Sequence, residues 1–266
     1  MSPLSPPAAR SLRLRDRRAV LAALAGVTLL AWIYLVILAQ RMGEMPGMEG
    51  MLALRPWTGL DFALMLLMWA AMMVGMMVPS AIPMVLVYAA VSQKAAGQGS
   101  PLPPTAIFAS GYVVAWTLFS VGATFAQWGL ERTALLSPSM VATSPTLGAA
   151  LVVAAGLYQF TPAKQACLRH CRSPAHFISE HWKPGALGAL RMGLEHGAYC
   201  LGCCWVLMGL LFFGGVMNLL WVAAITVFVL LEKLLPSERL VRWAGLALMG
   251  TGTLLLALAW MREGGS

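Results

Sequence analysis

The residues whose type and spacing most clearly indicate chemistry are the cysteines, because all five lie between residues 167 and 204. Cys167 and Cys171 form a first group, and Cys200, Cys203 and Cys204 form a second. Structural disulfides are disfavoured where thiols are kept reduced, as they are in the cytosol. Reduced thiols that cluster near histidine are typical of metal or redox sites.

The second cysteine group lies in phase with a histidine. A helix turns by roughly 100° per residue, so His196, Cys200 and Cys203 project from one stripe, with Cys204 at its edge. The carboxylate of Glu195, which precedes the histidine, has two interpretations. It either orients the imidazole or is an acid favoured at a helix start.

The first group, Cys167 and Cys171, shares a face if its segment is helical, so both groups can supply ligands to one ion. Thiolate and imidazole suit Cu(I) or Zn(II) rather than Mg(II) or Ca(II). The spacing is not that of a zinc finger, so it does not identify the metal, and both copper and zinc stay open at this point. Two other interpretations stay open: a redox dithiol at a helix start, and inert packing of buried cysteines.

Soft side chains also recur in residues 65–84, where methionines fall on one helical face. Thioethers are uncharged ligands that suit Cu(I), although methionine also packs irregular interfaces without binding metal. Pro79 and Pro83 predict a break in this helix, with the freed carbonyls facing protein or a water cavity. The predicted methionine ligands are Met72, Met73, Met76 and Met77.

Composition places these groups in a membrane. The 266 residues are 59% hydrophobic and 11% charged, with a mean hydropathy of +0.76, whereas a soluble domain is about half apolar and about a quarter charged. A spanning helix needs roughly 20 apolar residues. The sequence thus predicts an all-α, polytopic transmembrane bundle of seven spans, or six if the glycines at 214 and 215 bend one helix. The spans are predicted at approximately 19–39, 60–78, 105–128, 146–160, 197–214, 216–231 and 243–261.

The basic residues indicate topology rather than nucleic-acid binding. With the amino terminus in the cytoplasm, 14 of the 18 lysines and arginines lie on that side, as the positive-inside rule requires. We therefore predict a multi-pass protein of a bacterial inner membrane. Residues 1–18 are predicted to be a disordered basic tail, and 262–266 a short carboxyl-terminal tail. A single transmembrane domain, 19–261, includes a cytoplasmic Cys/His-containing segment at 161–196.

Three ionisable residues lie at the ends of predicted spans, namely Asp61, Glu232 and Lys233. An ionisable residue inside a membrane is a functional candidate by default. Because these three are predicted to lie at interfaces, we interpret them as snorkelling side chains or ion-pair partners.

Several motifs together resemble a known family. They are EHGAYCLGCCW at 195–205, GVMNLLW at 215–221, Glu232-Lys233, MMVGMMVP at 72–79, and YQFTP at 158–162 with Lys164, Cys167 and Cys171. Over roughly residues 60–235 the chain resembles a bacterial family of predicted metal-binding integral membrane proteins. That family carries a domain of unknown function and is sometimes labelled copper chaperone. The resemblance implies metal handling in the membrane, with copper favoured, and no established activity.

The leading hypothesis is a membrane protein that binds Cu(I) near its cytoplasmic face, for delivery or for insertion into an enzyme. Its expected partners are the lipid bilayer, the metal ion, and a membrane metalloenzyme or other membrane subunits. The alternatives are a metal transporter, a thiol-redox protein and a structural subunit of a membrane complex. The sequence has no nucleotide-binding loop, which argues against ATP-driven pumping. We predict no catalytic residue and do not favour an enzyme.

Overall fold

The computed structural model describes residues 12–43, 57–95, 97, 102–137 and 140–263, and this part of the chain is helical without a β-strand. Its helices are α1 (Leu14–Gly43), α2 (Gly59–Ala95), α3 (Leu102–Arg132), α4 (Pro145–Tyr158), α5 (Pro162–Arg172), α6 (Pro174–His181), α7 (Gly185–Gly209), α8 (Leu211–Gly214), α9 (Leu219–Leu234) and α10 (Glu238–Glu263). The first helix starts earlier than the predicted residue 19. The disorder predicted for the amino-terminal tail concerns mainly residues 1–11, which lie outside the described residues.

Five helical stretches are long and apolar enough to cross a membrane. They are Leu14–Met42, Gly59–Ala95, Pro104–Arg132, Gly185–Gly214 and Glu238–Met261. The pair α4 and α5 passes the same test together but is bent by 65°, which raises the number to six. The predicted count of seven also requires α9, which has 16 residues, to cross the bilayer, and this count stays a prediction.

The second helix continues through both of its prolines, so the predicted break in residues 65–84 is wrong. Proline has no N–H, so Pro79 leaves the carbonyl of Gly75 without its helical donor. The indole Nε1 of Trp32 on α1 donates to that carbonyl at 3.2 Å. The freed carbonyl therefore faces protein, as expected, and a neighbouring helix satisfies it.

The close crossing of α3 and α7 depends on glycine. A Cβ at Gly193 would collide with the carbonyl oxygen of Phe108, and one at Gly111 with the carbonyl oxygen of Leu190. Small residues let membrane helices approach at backbone distance. This crossing brings α3 next to the cysteines of α7.

We expect Gly193→Ala to lower the free energy of unfolding by about 1–3 kcal/mol, because the added methyl forces two backbones apart. Gly122→Ala on α3 is the matched control, since a Cβ there meets nothing within 4 Å. Thermal unfolding in detergent micelles measures both. Equal unfolding temperatures for the two variants would contradict the close crossing.

Local sequence sets the angle between α4 and α5. Thr161 is extended (φ −71°, ψ 142°) and its Oγ1 accepts a hydrogen bond from the backbone N–H of Lys164 at 3.3 Å. Pro162 follows in the first turn, where its missing N–H costs nothing. The chain thus ends one helix at Tyr158 and starts another within a few residues. The bend turns α5 toward α7 and α9.

Candidate functional site

One face of α5 carries the first cysteine group. Lys164, Cys167, Leu168 and Cys171 follow each other at helical spacing, and Lys164 and Leu168 are buried. This face packs against α7, which carries the second cysteine group. Both groups therefore meet across one helix interface.

Four thiols lie together at this interface, and we call Cys171, Cys200, Cys203 and Cys204 the thiol cluster. The Cys171 thiol lies close enough to the Cys200 and Cys203 thiols to interact with both. The thiols of Cys203 and Cys204 each donate to the backbone carbonyl of Cys200 at 3.0 Å. All of these cysteines are free, and those on α7 are buried.

The fifth cysteine, Cys167, lies against the backbone of α7 beside the thiol cluster. A Cβ at Gly202 would lie 2.5 Å from its sulfur, so glycine makes room for the thiol. The hydroxyl of Tyr158 donates to the carbonyl of the same glycine. Gly202 thus lets α4 and α5 approach α7 closely.

A buried lysine touches the thiol cluster. Nζ of Lys233, on α9, donates to the sulfur of Cys200 at 2.8 Å and to Oγ of Ser80 on α2 at 3.0 Å. The lysine is 7% exposed. A buried ammonium is costly unless an acceptor or a negative charge compensates it. Lys233 therefore places a positive charge next to one particular sulfur.

The hydroxyl of Tyr112 on α3 contacts the same sulfur. It lies 3.0 Å from Cys200 Sγ and 3.1 Å from the carbonyl oxygen of Met77. A phenol has one proton to donate. When Cys200 is a protonated thiol that donates to the phenol oxygen, the Tyr112 hydroxyl donates to the backbone carbonyl of Met77. When the sulfur is a thiolate, the hydroxyl can turn and donate to it instead.

A second buried lysine forms an ion pair next to the thiol cluster. Nζ of Lys164 lies 3.0 and 2.9 Å from the two carboxylate oxygens of Glu232, and both side chains are almost fully buried. Nε of Arg172 donates to the backbone carbonyl of Glu232 at 2.9 Å. Glu232 was interpreted either as a snorkelling side chain or as an ion-pair partner, and it is an ion-pair partner in the structure. Snorkelling is wrong for both Glu232 and Lys233.

His196 is buried on α7 but does not share the hydrogen bonds of the thiol cluster. Its ring lies among those of Tyr112 and Phe177, with centroid distances of 5.5 Å to each, and its Nδ1 has no hydrogen-bond partner among the described residues. Glu195 does not orient it. That carboxylate pairs with Lys183 and, at 3.3 Å, with Arg191.

Both expectations that relied on a helix start near these residues are wrong. The helix begins at Gly185, so Glu195 is well inside it and Cys200 is about four turns from its first residue. The end of a helix dipole acts only within the terminal turn. The fold therefore does not place these thiols at a helix start, where the helix dipole would activate them. The positive charge near Cys200 comes from Lys233 instead.

The four predicted methionine ligands are all buried in the core of the bundle. Their side chains are at most 1% exposed, and the set is Met72, Met73, Met76 and Met77. Met77 contacts the site through its backbone carbonyl, which accepts from Tyr112. A ligand role for the methionine sulfurs stays a prediction.

Within the described residues, no three His, Cys, Asp or Glu side chains are grouped so that they could hold a metal ion. The contacts of the thiols and of the histidine ring explain why these side chains do not face a common point. The thiols of Cys203 and Cys204 point at a backbone carbonyl, and the His196 ring is held among aromatic rings. The structure thus brings four of the predicted ligands together as hydrogen-bonded thiols.

Sequence analysis missed three residues of the site. Lys164 precedes Cys167 by one helical turn and Cys171 by two, and that spacing was a usable signal. Lys233 was visible as an ionisable residue in an apolar segment but was assigned to an interface. Tyr112 has no local signal, since only the α3–α7 crossing brings it to Cys200.

Several helices are apolar and long enough to span a bilayer, and they pack around buried thiols and a buried lysine. These features are those of a helical membrane protein with an internal sulfur site. The family model described as PpoB2, copper chaperone, matches residues 66–255. This is more than half of the chain, so the protein belongs to that family. No curated protein and no solved structure matches it.

Proposed function

We propose that this protein is a membrane copper chaperone that holds Cu(I) at the thiol cluster. The observation that carries the proposal is the contact between the Lys233 ammonium and the Cys200 sulfur inside a set of four converging thiols. Thiolates are the soft ligands that Cu(I) prefers. Membership of a family described as copper chaperones supports the same metal.

Charge balance favours copper over zinc at a site of two thiolates. Two thiolates and one Cu(I) carry one net negative charge, which the Lys233 ammonium neutralises. Two thiolates and one Zn(II) are neutral, so the ammonium would be left uncompensated in a buried place, which is costly. Cu(I) also accepts two sulfur ligands in a linear arrangement, so it does not need a group of three or four.

The first ligands in this proposal are Cys200 and Cys203, followed by Cys171. To bind the ion, the Cys203 thiol has to leave its hydrogen bond to the carbonyl of Cys200. His196, Cys204, Cys167 and the α2 methionines Met72, Met73, Met76 and Met77 are further candidates.

In the proposed topology the amino terminus is cytoplasmic and seven spans cross a bacterial inner membrane. The thiol cluster then lies near the cytoplasmic face. From there the ion is delivered to, or inserted into, a membrane metalloenzyme. Reporter fusions at residue 100 and at the carboxyl terminus test this arrangement, which requires the two positions to lie on opposite sides.

Metal analysis of the purified protein tests the copper site. We expect about one Cu(I) per chain after anaerobic loading, and its loss in the Cys200→Ser, Cys203→Ser double variant. Cys167→Ser is the comparison variant: it changes a cysteine beside the thiol cluster that is only a further candidate, so a smaller loss than in the double variant is expected. Copper content that is unchanged in the double variant would rule out the proposed site.

Transport is the second candidate, favoured by the buried methionines of α2. Met77 lies next to Tyr112 and Cys200, and the other three methionines continue along the same helix into the core. Such a row of thioethers can carry Cu(I) away from the thiol cluster. Copper uptake into proteoliposomes separates the two functions, because a chaperone binds copper without moving it across the bilayer.

A further inference from the structure

Two histidines outside the thiol cluster have the features of metal ligands. Nδ1 of His170 lies 2.9 Å from the carbonyl oxygen of Ala166, and Nδ1 of His181 lies 3.1 Å from that of Phe177. A carbonyl oxygen only accepts, so each Nδ1 carries the proton and each Nε2 keeps a lone pair. A backbone carbonyl that fixes the tautomer in this way is a common partner of metal-binding histidine.

The spacing of the two rings suits one ion between them. Their centroids are 6.3 Å apart. An imidazole nitrogen binds a metal at about 2.0 Å, and the nitrogen is about 1.1 Å from the ring centre, so two imidazoles on one ion in a linear arrangement have centroids about 6.2 Å apart. Linear coordination by two neutral ligands is typical of Cu(I).

The pair lies next to the thiol cluster along the chain and closer to the protein surface. His170 and His181 are partly exposed, unlike the buried Cys200. His170 is the neighbour of Cys171 in sequence, and its ring stacks on Tyr199, the neighbour of Cys200, at 4.1 Å with an angle of 3° between the planes. The His170 ring therefore contacts a residue that adjoins the thiol cluster on α7.

We propose that His170 and His181 form an entry site that receives Cu(I) and passes it to the thiol cluster. This inference rests on the proposed copper function. The transfer exchanges two bonds from copper to Nε2 for two bonds from copper to sulfur. Copper stays Cu(I), the imidazoles are neutral before and after the transfer, and each protonated thiol that becomes a ligand releases its proton to water.

The experiment uses the full chain in detergent micelles and Cu(I) supplied anaerobically as its acetonitrile complex. In a variant with all five cysteines changed to serine, we expect bound Cu(I) with two nitrogen ligands by X-ray absorption. The further changes His170→Phe and His181→Phe keep aromatic rings at both positions and should abolish that binding. His176→Phe is the matched control, because His176 is exposed and pairs with Glu180 at 3.2 Å.

The protein with all its cysteines provides a test that does not depend on the folding of the cysteine-free chain. We expect His170→Phe with His181→Phe to retain copper in the thiol cluster at equilibrium but to load it roughly tenfold more slowly, because the high local concentration at the entrance is lost. A loading rate equal to that of the parent protein overturns the entry site.

The two proposals fail in different ways. If the parent protein binds copper through sulfur and the cysteine-free variant binds none, the entry site is refuted and the chaperone function stands. If the cysteine-free variant binds copper through nitrogen and Cys200→Ser with Cys203→Ser leaves the sulfur-bound copper unchanged, the entry site stands and the proposed thiol site is refuted.

Discussion

Glu232→Gln is expected to lower the free energy of unfolding by about 3–5 kcal/mol, the cost of leaving a buried charge without its partner. The charge left behind is the ammonium of Lys164, which is fully buried and bonds both carboxylate oxygens. The amide of glutamine offers one acceptor and no charge, so it replaces only part of the interaction. Unfolding in detergent micelles, monitored by circular dichroism, measures the loss.

A double variant distinguishes a broken pair from general damage to the helix. Replacing both partners, Lys164→Met with Glu232→Leu, removes the two charges together, and such replacements are often neutral or stabilising. We expect the double variant to recover most of the lost stability. Lys183→Met with Glu195→Leu is the matched control for an ion pair that is partly exposed. A double variant as unstable as Glu232→Gln would show that the pair is not the cause.

The ion pair also holds the first cysteine group in place. Lys164 and Cys171 lie on the same face of α5, two turns apart. Glu232 precedes Lys233, which contacts Cys200. The pair therefore connects the helix that carries Cys171 to the residue that contacts Cys200. The pair is therefore one of the contacts that hold α5 and α9 together beside α7.

Much of the helical architecture could be predicted from local signals. Apolar stretches of sufficient length lie where the five long helices are found, because length and composition alone decide that a segment can span a bilayer. The positions of α4 and α9 were also predicted, but their 14 and 16 residues are too short for the same argument. The number of spans therefore depends on how these two helices sit in the membrane, which is not a property of their composition.

The site was predictable in its residue types and not in its contacts. The cysteines were visible because they cluster in sequence and share helical faces. Tyr112, Ser80 and Lys233 come from three other helices, and only the tertiary packing brings them to Cys200. The interpretation of Lys233 as a snorkelling side chain failed because its face of α9 is buried against Cys200 and Ser80, whereas the adjacent Leu234 and Leu235 are exposed.

Lys233→Leu is expected to weaken Cu(I) binding by roughly 100-fold, which corresponds to about 3 kcal/mol. The variant removes the charge that balances the proposed site of two thiolates and one Cu(I), and leucine adds no sulfur that could bind copper. Competition against a chromophoric Cu(I) chelator measures the affinity. For Zn(II) we expect no loss of affinity, because two thiolates and Zn(II) are already neutral and the ammonium is then uncompensated.

Lys233→Arg separates charge from shape, because it keeps the positive charge and changes the geometry. We expect the Lys233→Arg variant to keep most of the copper affinity that the Lys233→Leu variant loses, and Ser80→Ala to have little effect, since it removes a neutral contact of the same ammonium. If the leucine and arginine variants weaken binding equally, the charge of Lys233 does not contribute and the lysine acts through packing. If the leucine variant binds Cu(I) as tightly as the parent protein, the thiolate that Lys233 contacts is not a copper ligand. In the proposed site, the preference for copper over zinc is therefore expected to depend on a lysine that supplies no ligand atom but balances the charge of the cysteine ligands.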